Sequence, residues 1–438
     1  MLPGVHQVRS RAPTRWRNNH KLESRRLIVD LAAFYSGVTI SIFTPVHKTS
    51  APFLPQAYES LKRQTVTDWE WVILENAGGK ARLEPDPRIK ILSTADDSVD
   101  GHNRIGRLKN FACQQCSGDV LVELDADDLL TPDCLEELLR AFADDRVQMA
   151  YSNDAQFTDG TWKPNTYSEA YGWRSRPFVY EGHALLETVG WPPGPQMMRR
   201  IEWAPNHVRA WRKTAYQALG GHAVTLKNGD DHDLCCRSYV EYGAAGLRHI
   251  DKCLYLYRVH PLNSSGSNVD NSGVQQQVAK NYVKYVEPLM ERWARDEGLP
   301  MYDLGGRLNG RHGYVSVDLE SADVICDLDE RWPFADDSVG IHRAHHLLEH
   351  LVDPIHFFNE AYRTLVPGGW LKVEVPSSVA VQVNGKTRGT VELAPDADES
   401  AALAAAQILV AVKNALGGNP PVKVIYKPGK ILNLIVKG

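Results

Sequence analysis

Short runs of β-branched and apolar residues alternate with amphipathic stretches over the first third of the chain. The run GVTISIF, for example, is followed by a stretch with helical spacing and then by a second apolar run, WEWVILE. The predicted elements are, in order, a strand at 37–43, a helix at 54–63, strands at 69–75 and 88–92, a helix at 105–116 and a strand within 119–128. This alternation predicts an α/β fold with a mostly parallel, doubly wound sheet, whose ligands bind at the carboxyl ends of the strands.

The pattern is weaker in the second third of the chain. Residues 160–207 are rich in Pro, Gly, Trp and Tyr and show no clear period, which is typical of a loop region that lies over a site. Downstream, the spacing of apolar residues predicts helices at 208–219 and 233–242, a strand at 253–260 and a connecting helix at 275–295.

A second α/β pattern runs from 301 to 376, and a third unit runs from 379 to the end. The third contains a hairpin signal at Asn384-Gly385, an Ala-rich helix after Asp398 and the strands VKVIY and ILNLIV. At 438 residues the chain is too long for one hydrophobic core. We therefore predict a basic N-terminal extension at 1–36, a first α/β domain at 37–268, a connecting helix at 269–298, a second α/β segment at 299–378 and a small α+β domain at 379–438.

Composition excludes some classes of protein. A chain that is 43% hydrophobic and 24% charged is neither wholly disordered nor a collagen-like fibre. Forty-nine Lys and Arg against 54 Asp and Glu give a net charge of −5, so no global positive charge indicates nucleic acid or an anionic membrane. Residues 1–26 hold seven Lys or Arg and one acidic residue, which predicts a flexible basic extension.

We expect a cytoplasmic protein without a membrane span. The stretch Leu27–Phe43 is too short and too polar to cross a bilayer, and the N-terminal Arg and His have no apolar run of the leader type beside them. Seven Cys without a framework spacing predict reduced thiols. Cys113 and Cys116 form a lone CxxC, for which small apolar fillers in helices and part of a zinc site are the alternatives.

A DxD tripeptide occurs four times, and only one copy follows an apolar strand. Asp125-Ala126-Asp127 comes directly after VLVEL, where an α/β sheet delivers groups to a ligand crevice. Two carboxylates there, with Asp128 adjacent, suit Mg²⁺ or Mn²⁺ holding a diphosphate. The alternative is a solvated acidic turn that caps a helix at Leu129.

Several ordered motifs resemble those of family 2 glycosyltransferases. They are Thr44-Pro45 after the first strand, FLPQAYESLKRQTVTDWEWVILEN, GRLKNFACQQCSGDVLVELDADDLL and GDDHDLCCR, which is similar to the family's ED-x-x-L-x-x-R segment. The resemblance covers about residues 37–266 and implies the nucleotide-sugar-binding, Rossmann-like GT-A fold.

The resemblance also implies roles for individual residues. The nucleoside pocket is expected to be lined by Thr44, Pro45, Glu75, Asn76 and Lys109, with Asp125 near the ribose. Glu75-Asn76 stands where the family commonly has two Asp, a departure that leaves the base open. The implied metal residues are Asp127 and His260, the catalytic base is Asp231, and Asp230 is the acidic residue before it.

These groups imply a metal-dependent, inverting sugar transfer. A cation, Mn²⁺ or Mg²⁺, would offset the charge on the departing diphosphate, and Asp231 would take the proton of a hydroxyl acceptor, most naturally a glycan. The donor is expected to be a nucleoside-diphosphate sugar, with a UDP-sugar favoured. The alternative for Asp231 is an N-cap of a helix that begins near Asp233, and for His260 a satisfied histidine at a strand end.

Residues 301–376 resemble class I S-adenosylmethionine-dependent methyltransferases. The segments YDLGGRLNGRHGYVSVDLESADVICDLDERWPFADDSV, HHLLEHL and EAYRTLVPGGWLKVEVPS carry the likeness. It implies S-adenosylmethionine as a cofactor, with Gly305 in the turn near it, Asp318 on its ribose and Asp327 near its adenine. The pattern stops after the fourth strand, whereas the family fold needs about seven, so a vestigial unit and an active methyltransferase are the alternatives.

The last stretch resembles the C-terminal domain of bacterial leucyl-tRNA synthetase, a module that touches tRNA. The lysines and arginine of this end predict a phosphate-facing patch made of Lys386, Arg388, Lys423, Lys427 and Lys430, or simply two solubilised hairpins. Three hypotheses follow: a glycosyltransferase, a bifunctional glycosyltransferase and methyltransferase, and a non-catalytic RNA-binding or scaffold protein.

Overall fold

The computed structural model describes residues 38–93, 105–198, 205–263, 272–308, 310–375, 377–394 and 397–436. The basic extension predicted over 1–36 lies outside them. All the elements below belong to one unit, residues 39–438.

The largest sheet has eleven strands, and the apolar runs of the sequence form its centre. Its path is β3-β2-β1-β4-β10-β6-β11-β5, with β7, β8 and β9 attached beside β6. The strands are β1 (Ile40–Val46), β2 (Trp69–Glu75), β3 (Ile89–Ser93), β4 (Val120–Glu123), β5 (Leu129–Leu130), β6 (Met149–Thr158), β7 (Pro164–Asn165), β8 (Arg174–Tyr180), β9 (His183–Val189), β10 (Arg209–Arg212) and β11 (Leu247–Val259). The first four are parallel, whereas β10 is antiparallel to both of its neighbours, so the α/β prediction is confirmed and the sheet is mixed.

Helices connect these strands and cover the sheet. They are α1 (Leu54–Lys62), α2 (Ile105–Gln114), α3 (Cys134–Phe142), α4 (Lys213–Ala218), α5 (Asp230–Tyr242) and α6 (Ser272–Asp296). The helices predicted at 54–63, 105–116, 233–242 and 275–295 are confirmed, with α5 beginning three residues earlier than expected. Each of α1, α2 and α6 places its apolar side chains on one face, as its helical spacing requires.

The helix predicted at 208–219 is wrong in its first half. Residues 209–212 form β10, which lies between β4 and β6 in the interior of the sheet, and only 213–218 are helical. Ala210 and Trp211 are fully buried there. Sheet pairing on both sides therefore overrides a local spacing that also fits a helix.

The region 160–207, predicted to lack regular structure, contains a hairpin of β8 and β9. The turn between them uses Gly182 at φ +83°, in the left-handed region that favours glycine. Aromatic side chains cluster beside the hairpin: the rings of Phe157 and Trp162 stack 4.4 Å apart, and Trp162 stacks on His183 at 4.3 Å.

The second sheet has five parallel strands, one more than the sequence predicts. Its order is β14-β13-β12-β15-β16, made of β12 (Met301–Leu304), β13 (Val315–Asp318), β14 (Val324–Ile325), β15 (Val339–His345) and β16 (Leu365–Glu374). The additional strand, β14, has two residues and therefore too little sequence to show a period. Residues of α6 pack on one part of this unit, and α7 (Pro354–Thr364) packs Phe357 and Ala361 with Leu304.

The third sheet has the order β18-β17-β20-β19. Its strands and helices are β17 (Ser377–Val383), β18 (Lys386–Leu393), α8 (Glu399–Ile408), α9 (Val410–Leu416), β19 (Lys423–Lys427) and β20 (Ile431–Ile435). The predicted hairpin is confirmed, with Asn384 and Gly385 at φ +50° and +78°, as a type I′ turn requires. The predicted helix after Asp398 is also confirmed, and the Asp398 carboxylate accepts from Ala401 N at 2.8 Å.

The seven cysteines are buried free thiols, and Cys113 and Cys116 lie in the core of the first sheet. Among the described residues, no single helix combines the length and the hydropathy of a membrane span, although α8 and α9 would reach them jointly across a 96° bend. The domain boundaries given above and the cytoplasmic location stay predictions.

Candidate active site

Side chains from several elements meet at the carboxyl end of β4. Asp125 and Asp127 follow β4, Lys109 lies on α2, and Asp230 and Asp231 occupy the first turn of α5. Because β10 runs antiparallel to β4, its first residue lies beside the last residue of β4. The strands therefore bring a cation from β10 to the point where the predicted carboxylates leave the sheet.

Glu123 is the buried centre of this cluster. It accepts from Lys109 Nζ and, through both carboxylate oxygens, from Arg209 Nε at 3.0 Å and Nη2 at 3.2 Å. Burial by itself raises the pKa of Glu123, but the Arg209 and Lys109 charges outweigh it and hold the pKa well below its usual range. The same carboxylate holds the pKa of Lys109 above its usual value against the effect of burial. All three groups are therefore charged at neutral pH.

Arg209 joins this cluster to the predicted catalytic base. Its Nη1 donates to Asp231 Oδ2 at 2.9 Å, and the Asp231 Oδ1 accepts from His232 N at 2.8 Å. Burial opposes ionisation of Asp231, but Arg209 and then Lys109 prevail, so its pKa lies below its usual range. The Asp231 side chain is 20% exposed, which leaves it accessible from the crevice.

Asp125 and Asp230 differ from Asp231 because their pKa values are raised. Asp125 Oδ1 lies 3.9 Å from Lys109 Nζ, and burial followed by the Glu123 and Asp127 charges raises its pKa to about 6, although Lys109 opposes the shift. Burial, with the Asp231 and Glu123 charges, raises the pKa of Asp230 to about 7. The Asp230 side chain is nearly inaccessible, and its Oδ2 has no hydrogen-bond partner among the described residues.

Asp127 and His260 are neighbours, as the resemblance implies. His260 Nε2 lies 2.9 Å from Asp127 Oδ2, close to the separation of about 3 Å expected for two cis ligands of Mg²⁺. Leu262 N donates to His260 Nδ1 at 3.2 Å, however, which leaves the imidazole proton on Nε2. Asp127 therefore fits a cation as it stands, whereas ligation by His260 requires its proton to move to Nδ1. Within the described part of the chain, no three His, Cys, Asp or Glu side chains group closely enough to hold an ion alone.

The residues expected around the nucleoside lie at the ends of β1 and β2. Thr44 is fully buried, where its hydroxyl donates to Leu124 O at 2.7 Å and accepts from Trp71 Nε1 at 2.8 Å, whereas Pro45 is half-buried. The Glu75 carboxylate accepts from Lys80 Nζ at 2.8 Å, among other groups. Burial raises the pKa of Glu75, but these hydrogen bonds outweigh it and lower the pKa below its usual value. Asn76 is buried next to it.

Two alternatives from the sequence are wrong. Leu129 belongs to the short strand β5, so the DxD segment does not cap a helix there. Helix α5 begins at Asp230 and is preceded by Gly229 as its N-cap, so Asp231 is not the capping residue. Asp128 has a structural environment instead: it is buried and accepts from Tyr255 Oη and Arg258 N, each at 2.7 Å.

In the second sheet, the predicted cofactor residues share one edge. Gly305 follows β12, Asp318 ends β13 and Asp327 comes two residues after β14, so all three lie at the carboxyl ends of adjacent parallel strands. Gly305 has φ +74°, and a Cβ on Gly306 would lie 2.5 Å from Asp303 Oδ2. Asp303 also pairs with Arg343 Nη1 at 2.9 Å, a contact that the sequence does not predict.

Sequence reasoning missed Glu123 and Arg209. The signal for Glu123 was present, because an acidic residue inside the apolar run VLVEL needs a buried partner. Arg209 carried no such signal while residues 208–219 were interpreted as a helix.

Comparisons with known proteins place two domains on this chain. Residues 41–206 match the family model "Glycosyl transferase family 2", and residues 308–373 match the model "Methyltransferase domain". The chain therefore carries a family 2 glycosyltransferase domain and a methyltransferase domain. Helices α5 and α6 lie outside both matched ranges.

Three curated proteins illustrate the similarity. The O-antigen biosynthesis protein RfbC of Myxococcus xanthus is 28% identical over 225 residues, which are 49% of this chain and 15% of that protein. The chondroitin synthase of Escherichia coli is 23% identical over 297 residues, or 66% of this chain and 37% of that protein. A leucine–tRNA ligase of Bdellovibrio bacteriovorus is 57% identical over 60 residues, 14% of this chain and 8% of the ligase. The chain thus spans a minor part of each relative.

Among solved structures, S. aureus TarS 1-349 in complex with UDP-GlcNAc aligns at a TM-score of 0.41 and 13% identity, over 59% of this chain and 71% of that one. A likeness at this level adds nothing to the assignment.

Proposed function

We propose that the protein transfers a sugar from a nucleoside-diphosphate sugar, with a UDP-sugar favoured, to a hydroxyl of a glycan acceptor. The observation that carries this proposal is the charge network in which Lys109 and Arg209 share Glu123. Lys109 approaches Asp125 on the donor side, and Arg209 holds Asp231 on the other. Two carboxylates from separate parts of the sequence are thereby fixed at one crevice, inside or next to a glycosyltransferase domain.

The chain's own groups divide the work of binding. Asp125, partly exposed beside Lys109, is placed to accept from a ribose hydroxyl, and the half-buried Pro45 lines the nucleoside side. Thr44, Glu75 and Asn76 support this wall from within, because their polar groups are already engaged or buried. A cation, Mn²⁺ or Mg²⁺, held by Asp127 and next to His260, would supply charge for the departing diphosphate.

Asp231 acts on the acceptor. Its low pKa keeps it ionised at neutral pH, which makes it a weak base. A weak base suffices here because the acceptor hydroxyl becomes strongly acidic as its oxygen bonds to the anomeric carbon, so the proton leaves late. Attack from the face opposite the leaving group inverts that carbon, and no protein nucleophile is needed.

Turnover of a donor panel with Mn²⁺ tests this proposal. We expect donor hydrolysis or transfer by the wild-type protein and a loss of about 10²-fold or more in Asp231→Asn and in Asp127→Ala. Asp145→Asn is the matched control, because the Asp145 side chain is fully exposed and only weakly paired. If both site variants turn over donor at the wild-type rate, the assigned roles are wrong.

Methyl transfer is the second candidate function. It is favoured by the matched methyltransferase domain and by the shared strand-end position of Gly305, Asp318 and Asp327. Five strands still leave β16 as an edge among the described residues, which argues for a vestigial unit. Calorimetric titration with S-adenosylmethionine decides between them: heat of binding that Asp318→Ala abolishes supports the cofactor site, and no heat at high concentration removes it.

A tRNA-binding role for residues 379–438 has weaker support. Lys423 and Lys427 alternate with the exposed Ile425 on the face of β19 away from the helices, but Lys386 pairs with Val383, whose side chain faces the helices. The five basic residues therefore do not share one face. Filter binding of tRNA to the Lys423→Glu/Lys427→Glu protein tests this role, and unchanged retention would dismiss it.

A further inference from the structure

Helix α6 contacts the helix that carries the candidate base at the turn before that base. Asn281 Nδ2 donates to the carbonyl oxygen of Gly229 at 2.8 Å, and the Asn281 side chain is buried. Gln277 Nε2 donates to Asn281 Oδ1 at 2.9 Å, which fixes the orientation of the amide. Gly229 is the N-cap of α5 and has φ +67°, so this bond holds the backbone one residue before Asp230 and two before Asp231.

A second contact lies in the same turn. Tyr285 Oη donates to Asp233 Oδ1 at 2.8 Å, while Arg237 donates to the other oxygen of that carboxylate at 2.8 Å. Asn281 and Tyr285 are four residues apart and therefore lie on the same face of α6. One face of α6 thus holds both the entry to α5 and its first turn.

The far end of α5 is held separately. Arg292 Nη1 donates to the carbonyl oxygens of Val240 and Glu241, and Asp296 Oδ2 accepts from Ala244 N at 3.2 Å. A helix of 13 residues is about 20 Å long, so these contacts lie well away from Asp230 and Asp231.

Helix α6 is itself fixed from its opposite side by the methyltransferase-like unit. Glu287 accepts from Arg311 Nη2 at 2.7 Å and from Lys372 Nζ at 2.8 Å, and Glu291 accepts from Arg311 at 2.8 Å. The contact with α5 is therefore made by an anchored helix rather than by a loose one.

We propose that Asn281, with Tyr285, is a positioning residue for the glycosyltransferase reaction: it sets the first turn of α5 so that Asp231 stays directed at the acceptor. This inference rests on the proposed function of Asp231. It assigns a catalytic consequence to a helix that lies outside both matched domains. The bond acts on the base and not on the donor, so its loss lowers kcat and leaves the KM for donor in place.

The test compares substitutions at the two ends of α5. Asn281→Asp keeps the size of the side chain but turns an acceptor oxygen toward the Gly229 carbonyl oxygen, and Tyr285→Phe removes only the hydroxyl. We expect kcat to fall about tenfold or more in Asn281→Asp and about threefold in Tyr285→Phe, with the donor KM within about twofold of wild type. Arg292→Gln is the matched control, and we expect it to lower the melting temperature while kcat stays unchanged.

Unchanged kcat in Asn281→Asp, or an equal loss of kcat in Arg292→Gln, would overturn the inference, because the helix would then serve stability alone. If Asn281→Asp does not fold, Tyr285→Phe decides by the same criterion. Absence of donor turnover in the wild-type protein would instead refute the proposed function, and the inference with it.

Discussion

Arg209 donates to Asp231 Oδ2 from Nη1 at 2.9 Å, and Nε of the same guanidinium donates to Glu123 Oε2 at 3.0 Å. One buried cation thus connects a carboxylate of β4 with a carboxylate of α5, two elements that are about a hundred residues apart in sequence. The position of the candidate base therefore depends on β10, an element that provides none of the motif residues.

The Arg209→Lys substitution is expected to reduce kcat by about 10- to 100-fold. A lysine ammonium is a point charge on a flexible stem, and it cannot reproduce a planar fork that reaches two carboxylates at once. Steady-state kinetics with donor and acceptor, together with urea unfolding, measures the effect. Because one charge remains, we expect a smaller loss of stability than the roughly 3–5 kcal/mol typical of breaking a buried ion pair.

Arg212→Lys is the control for Arg209→Lys. Arg212 lies on the same strand but donates mainly to main-chain carbonyls, those of Val147, Phe142 and Asp144. Its replacement should lower stability without changing kcat. Equal kinetic losses in both variants would show that β10 contributes only to folding.

Gly106→Ala should disturb the other carboxylate of α5. A Cβ at this position would lie 2.6 Å from the Asp230 Cβ and 2.7 Å from the carbonyl oxygen of Ala223, closer than real Cβ atoms approach. Helix α2 and α5 must then separate, so we expect at least about a tenfold lower kcat and a lower melting temperature. In Gly194→Ala, the nearest atom is 3.9 Å from the new Cβ, and that variant should behave as wild type. Wild-type kinetics in Gly106→Ala would mean that the position of Asp230 is irrelevant to turnover.

The sequence predicts the parts of this site that depend on local pattern. Strands β1, β2 and β4 are continuous apolar runs, because parallel strands buried on both faces need them, and the carboxylates that follow β4 were found from that pattern. Strand β10 could not be found in this way. Its sequence, RAWR, is half charged, and it is stable inside the sheet only because the Arg209 charge meets Glu123 and Asp231.

The same limit applies to the contacts between helices. The spacing of apolar residues places α6 correctly, but Asn281 is an ordinary polar residue in that pattern. Its role depends on the direction in which α6 crosses α5, and tertiary packing alone sets that direction.

Substitutions at Asp127 and His260 should separate a cation ligand from its neighbour. In Asp127→Asn, we expect the Mn²⁺ concentration for half-maximal turnover to rise about tenfold or more, because a charged oxygen ligand is lost. In His260→Gln, we expect a change below about threefold, since the His260 Nε2 proton faces Asp127 Oδ2 and a glutamine amide can also donate there. A shift in His260→Gln as large as that in Asp127→Asn would show that His260 itself binds the cation.

The carboxyl group of Asp154 should make stability depend on pH. This residue of β6 is buried, and burial raises its pKa from 3.8 to about 7, although a hydrogen bond from Asn206 opposes the shift. Between pH 3.8 and 7, the unfolded chain therefore releases the proton of Asp154 while the folded protein retains it. Since the unfolded state binds fewer protons, the contribution of Asp154 to the free energy of unfolding falls as pH rises, by about 1.4 kcal/mol per pH unit at most.

Asp154→Asn tests this relation, because asparagine mimics the protonated acid without titrating. Urea unfolding at pH 4.5, 6 and 7.5 should show Asp154→Asn gaining stability over wild type as pH rises, up to about 4 kcal/mol in this limit. Other titrating groups are common to both proteins and cancel in the difference. Asp145→Asn, at a fully exposed position, should show no such trend. A difference that is equal at all three pH values would mean that Asp154 ionises normally in the folded protein.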